Sequence, residues 1–172
     1  MVEEINAVMT ALNKFAAHYS DSDVVKWGLV FTASSTPTWQ EHVVLQTDLV
    51  DFQTFISTFQ NSGFTLSGGN EQNYDAIYLA IHNLVADADL PYKISDLTWG
   101  WGSIDSTPPK DQWNISWRDD AKHVIILFSD EGGQSYFNPL LTEADIVKTI
   151  NAADELAVYT FTSSSIISGI GS

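Results

Sequence analysis

Cysteine is absent from this chain, which excludes disulfides and thiolate metal sites and leaves the redox compartment open. Basic residues are scarce: 7 Lys and Arg stand against 22 Asp and Glu, a formal net charge of -15. Binding nucleic acid requires clustered cations to neutralise phosphate, so that class is excluded, and docking on anionic lipid with it. The acidic balance suits a site that takes cations, and equally a surface kept acidic for solubility. No apolar run approaches the roughly 20 residues of a membrane span. A positively charged leader is missing too. "MVEEINAVMTALNKF" is acidic at its start and reads as an amphipathic helix, so the export signal of a secreted protein is not in this chain. His18, His42, His82 and His123 share no ligand spacing, which argues against zinc. There is no phosphate-binding glycine loop, no Gly-x-Ser-x-Gly elbow and no nucleophile with a placed histidine, which argues against an enzyme.

What is present is a foldable pattern. The chain has 172 residues, 44% of them hydrophobic, enough for a single domain over 1–172 with a substantial core. Ile5, Val8, Met9, Leu12, Phe15, Ala16 and Tyr19 recur at helical spacing. "VVKWGLVFTA", 24–33, and "HVVLQTDL", 42–49, read as strands forming a hairpin. Phe52, Phe55, Ile56 and Phe59 mark a short helix, and "YDAIYLAIHNLVADA", 74–88, a longer one. Residues 90–120 hold four of the six Trp and little periodicity, and read as an inserted surface loop. A strand over 122–129, a helix over 142–156 with Thr142 and Asp145 suited to its start, a strand over 157–162 and a Ser/Gly-rich tail over 163–172 complete the order. Strands alternating with helices predict an α/β fold: a doubly wound, mostly parallel sheet with helices on both faces. Such folds open with a strand, and this chain opens with a helix, so the first central strand is missing from it.

Ligands of open α/β sheets gather at the carboxyl ends of the strands. There "HVIILFSDEGGQSYF" places Asp130 and Glu131, followed by Gly132 and Gly133. A carboxylate at a strand end can hold a hard cation such as Mg²⁺, Mn²⁺ or Ca²⁺; equally, Asp130 can cap the turn through nearby amides. "SGGNEQNYDAI" offers Ser67, Asn70, Glu71 and Asp75 at the mouth of a helix. Helix capping accounts for Asn73 as N-cap and Asp75 in the first turn, and accounts less well for Glu71. Trp99, Trp101, Trp113 and Trp117 either grip a ligand or pin their loop to the domain, the second being the simpler reading. Asn114-Ile115-Ser116 fits the glycosylation acceptor pattern.

Three motifs in order resemble the von Willebrand factor A domain, and within it the inserted domain of integrin β subunits. They are Glu71-Gln72-Asn73-Tyr74-Asp75-Ala76-Ile77; Trp117-Arg118 with Lys122, a strand and Ser129-Asp130-Glu131-Gly132; and "VVKWGLVFTAS". The resemblance covers roughly residues 3–162. It implies a divalent-cation site at the top of the sheet, with Glu71 and Asp130 as metal ligands; the residue types and loop positions make Glu131, Ser67, Asn70, Trp99 and Trp101 the residues expected to face the ligand. The cation would be Mg²⁺, or Mn²⁺ or Ca²⁺, and a partner protein's carboxylate would complete its coordination. The family's Asp-x-Ser-x-Ser motif and the strand that carries it are absent, so the site is incomplete in this chain and binds weakly or not at all. The integrin relatives' ligands for additional calcium are not reproduced either: Leu66, Gly68 and Asn70 stand where those side chains are expected.

The expected function is an adhesion or ligand-binding module, extracellular or at the cell surface, without turnover. The alternatives are a metal-dependent hydrolase using Asp130 and Glu131, and a structural assembly domain whose sheet is completed by a strand from another segment or chain.

Overall fold

A computed structural model of the chain describes residues 10–15, 17, 24–32, 43–61, 72–99, 114–129 and 132–162. Residues 10–15 are helical (α1). The other elements are β1 (Trp27–Thr32), β2 (Val43–Val50), α2 (Phe52–Asn61), α3 (Asn73–Ile81), β3 (Thr98–Trp99), β4 (His123–Ser129), β5 (Phe137–Asn138), α4 (Glu143–Ala152) and β6 (Leu156–Thr162). The architecture is mixed α/β, with four helices and small parallel and antiparallel sheets.

The hairpin expected from the two strand-like segments forms. β1 and β2 pair antiparallel from Thr32↔Val43 to Trp27↔Val50, with register shifts on either side of Leu29. The phenylalanine stripe of α2 lies on this hairpin. Phe52 and Phe55 stand 5.2 and 5.5 Å from the Trp27 ring, and Phe59 stands 6.0 Å from Phe31. Phe15 of α1 meets Trp27 edge-on at 5.8 Å. At the other end of the chain, β4 and β6 pair parallel in continuous register from His123↔Leu156 to Ser129↔Thr162, joined through α4. The start of α4 is fixed locally: Thr142 accepts from Asp145 N–H and the Asp145 carboxylate accepts from Thr142 N–H, a reciprocal capping box.

The core is organised by α3. Eight of its nine residues are buried, which marks a helix enclosed by the domain rather than lying on it. Val30, Leu45 and Leu49 of the hairpin and Ile125, Leu127 and Leu156 of the parallel pair pack against one cluster that contains Ile77, Tyr78, Leu79 and Ile81. The two strand pairs thus share a core, yet no backbone ladder joins them among the described residues. The predicted helix over 74–88 stops at Ile81, passes through a 3₁₀ turn at His82–Leu84 and is extended by Val85. Beyond that point the Asp-rich segment leads to Pro91 and offers no apolar stripe to bury.

Both described ends of the 90–120 segment enter the core. Leu90, Leu97, Trp99 and Ile115 are buried, and β3 pairs antiparallel with β5. Trp117 Nε1 donates to the Ala80 carbonyl at 2.9 Å and Asn83 Nδ2 donates to the Ile115 carbonyl at 2.7 Å, so this segment satisfies the otherwise open end of α3.

The expectation of helices on both faces of the sheet is not met at β4–β6 among the described residues. One face is turned to the core. On the other, Val124, Ile126, Phe128, Tyr159 and Phe161 are 43–58% exposed. The register sets Ile126 beside Tyr159 and Phe128 beside Phe161, whose rings stack at 5.2 Å.

Candidate functional site

Four consecutive residues at the mouth of α3 bond to the segment that follows β4. The Gln72 side chain hydrogen-bonds to Tyr136. Asn73 Nδ2 donates to Ser129 Oγ at 3.0 Å and to the Gly132 carbonyl at 3.3 Å. Tyr74 N–H donates to the Gln134 carbonyl at 3.1 Å. Asp75 Oδ2 accepts from Tyr136 N–H at 2.7 Å. The two loops that carry the sequence-derived candidates are therefore clasped to each other by the residues flanking those candidates.

The clasp is buried. Gln72, Asn73 and Asp75 are 0–2% exposed. Removal from water disfavours the charged carboxylate, and burial pushes the Asp75 carboxyl up to about 7 against hydrogen bonds from the Ser135 hydroxyl and Tyr136 N–H. Ser135 Oγ itself accepts from the N–H groups of Phe137 and Leu141, which leaves its own proton to point at Asp75. Among the described residues, Asp75 Oδ1 and Asn73 Oδ1 have no hydrogen-bond partner. Burial, helped by the charge of Asp75, also raises the Tyr136 phenol, and the Gln72 hydrogen bond opposes it.

A glycine is required where the loop passes the helix. A methyl group built at Gly133 would overlap the Tyr74 ring, whose hydroxyl oxygen alone would lie 2.7 Å away. Tyr74 thus rests directly on loop backbone, and its phenol is raised by burial and by the charge of Glu143.

The capping reading of this helix mouth does not hold. Asn73 is the first helical residue; the N-cap position belongs to Gln72, which makes no side-chain cap. The Asn73 and Asp75 side chains reach across to another loop, because a helix entering the core presents its first turn to protein rather than to water. The signal available in the sequence was an Asn and an Asp opening a helix that is otherwise apolar all round.

Of the sequence candidates, Glu71, Asp130, Glu131, Ser67, Asn70 and Trp101 lie outside the described residues. Trp99 is described: it is 7% exposed and its ring leans on Phe137 at 4.6 Å, so it offers little surface to a ligand. His82 and His123 are both committed to backbone carbonyls. His82 Nδ1 contacts Leu79 O at 2.8 Å, and His123 Nε2 contacts Arg118 O at 2.9 Å.

The described donors at the clasp (the Ser129 hydroxyl, the Asn73 amide oxygen and the Gly132 carbonyl) are hard oxygens of the kind Mg²⁺ and Ca²⁺ prefer. The unpartnered Asn73 Oδ1 is an acceptor still to be satisfied. Among the described residues no group of three His, Asp or Glu side chains is placed to hold a metal ion. Elsewhere, a shallow depression lined by His82, Asn83, Asp87, Lys93, Ser95 and Asn114 carries the exposed Lys93–Asp87 ion pair at 3.1 Å. Comparison with known proteins finds no matching family model, no matching curated protein and no matching solved structure.

Proposed function

We propose that the chain is a ligand-binding module of the von Willebrand A kind. In this reading Glu71 and Asp130 hold a divalent cation of the Mg²⁺, Mn²⁺ or Ca²⁺ class above the strand ends. When bound, the cation supplies an open coordination position for a carboxylate of a partner protein, and nothing is turned over. In this reading the strand pairs β1–β2 and β4–β6 belong to one doubly wound sheet. Such millimolar-strength cation chemistry suits an extracellular or cell-surface setting.

The observation that carries the reading is the clasp. Asn73, two residues after Glu71, bonds to Ser129 and Gly132 on either side of Asp130 and Glu131. Two acidic loops 56 residues apart in the chain are tied together, and like charges so placed gain from a cation between them. The test is thermal melting with and without metal. At about ten times the dissociation constant a bound cation adds about 1.4 kcal/mol, so about 10 mM Mg²⁺ or Mn²⁺ raises Tm by a few degrees. Asp130→Ala and Glu71→Ala each remove the shift. A shift that persists in both variants, or no shift for the parent chain, defeats the proposal.

A second reading, assembly through a partner strand, is favoured by two strand pairs that share a core with no ladder joining them among the described residues. It predicts an oligomer by light scattering that EDTA leaves intact.

A further inference from the structure

We infer that the outer face of the β4–β6 pair is a docking strip for one basic amphipathic helix. The strip is apolar and continuous. Val124, Ile126 and Phe128 project from β4, and Tyr159 and Phe161 from β6, all 43–58% exposed. Half-exposed side chains of this size present together about 500 Å², within the range of the largest apolar patch on a typical monomer, which is often functional. Parallel strands are covered on both faces in folded proteins. Here the inner face packs on the α3 core and the outer face has no cover among the described residues.

Shape selects the occupant. Strands of seven residues make a strip about 20 Å long, and two of them side by side are about 10 Å wide. That is the footprint of a single helix of about 13 residues, whose diameter is 10–12 Å. The chain's own α1 is engaged elsewhere, with Phe15 against Trp27.

Charge selects its chemistry. At the end where both strands begin, Asp119, Asp120, Asp154 and Glu155 are exposed. Of the neighbouring cations, Arg118 Nη2 donates to the Val24 carbonyl and Lys122 lies 3.9 Å from Glu155. A second copy of the chain would bring the same acidic rim and another net charge of -15 against this one, which opposes association. A helix whose apolar stripe is flanked by Lys or Arg meets both the strip and its rim.

The experiment uses the full chain and three synthetic 14-residue peptides. The first has leucines at i, i+3, i+4 and i+7 on a lysine background, the second has the same composition with the stripe scattered, and the third carries the stripe on glutamates. Titration calorimetry is expected to show the striped lysine peptide binding at least tenfold more tightly than either control. The double variant Phe128→Asp, Phe161→Asp, with an unchanged far-ultraviolet spectrum, loses that preference at least tenfold. Because both side chains are about half exposed, the variant keeps the core intact; single Phe161→Ser serves if the double variant melts. Equal binding of the scattered peptide, undiminished binding by the variant, or a homodimer seen by light scattering that excludes the peptide each overturns the assignment.

Discussion

Replacing Asp75 by Asn tests the physics of the clasp directly. In the folded chain Asp75 is fully buried and holds its proton to about 7, against an ordinary carboxylate value of 3.8. Between these values the unfolded chain has released the proton and the folded chain has not. Stability contributed by this group is therefore full below about 4, falls as pH rises, and is lost by the time pH passes about 7. The slope is about 1.4 kcal/mol per pH unit, and over the whole interval it accumulates to about 4 kcal/mol. Asn reproduces the neutral acid in shape and cannot ionise. His82 acts in the opposite sense: burial lowers it, so its contribution is lost as pH falls through the histidine range. The informative quantity is thus the difference between the two proteins, in which His82 and the remaining carboxylates cancel. Urea unfolding at half-unit steps from pH 3 to pH 8 should show parent and variant nearly parallel below about pH 4, the variant gaining on the parent by more than 1 kcal/mol per unit between about pH 4 and pH 7, and the two parallel again above that. Parallel curves across the range would mean that Asp75 ionises freely, and the buried clasp would be wrong.

Three further outcomes follow from particular contacts. Thr142→Ala removes one side of the capping box on α4 and is expected to cost about 1 kcal/mol, a Tm fall of about 2–4 °C by calorimetry. Glu155 has a left-handed φ of 54°; Glu155→Gly relieves about 1 kcal/mol of backbone strain, while the ion pair it gives up is long and exposed and contributes little, so Tm should rise. Gly133→Ala forces the Tyr74 ring off the loop. Its phenol, raised by burial and Glu143, should return toward the ordinary tyrosine value in an ultraviolet titration, and an unchanged titration would contradict the close approach.

Elements with a strong local signal were legible in the sequence. The β-branched and aromatic residues of 24–33 and 42–49 form the hairpin, the Phe52, Phe55 and Phe59 stripe forms α2, and Thr142 with Asp145 opens α4 as a capping box. Each depends on contacts within a few residues or between neighbouring segments, which periodicity and capping preference encode. The mouth of α3 was misread because an Asn and an Asp at a helix start carry the same local signal whether they cap their own helix or bridge to another loop. Only the position of α3 inside the domain separates the two. The 90–120 segment was read as surface for a similar reason: buried Leu97, Trp99 and Ile115 follow no regular period, so nothing local announces that they are core.

Composition alone excluded cysteine-thiolate chemistry and made the chain strongly acidic, with 22 Asp and Glu against 7 Lys and Arg. The linear pattern set the order of the longer strands and helices but not the short pair β3 and β5, because hydrophobic period is a property of consecutive residues. Tertiary structure decided what consecutive residues cannot specify. It stitched residues 73–75 to Ser129, Gly132, Gln134 and Tyr136, raised Asp75 by burying it, and left one face of β4–β6 apolar and uncovered among the described residues. These properties arise where distant segments exclude water from each other or fail to, and that is settled only by packing.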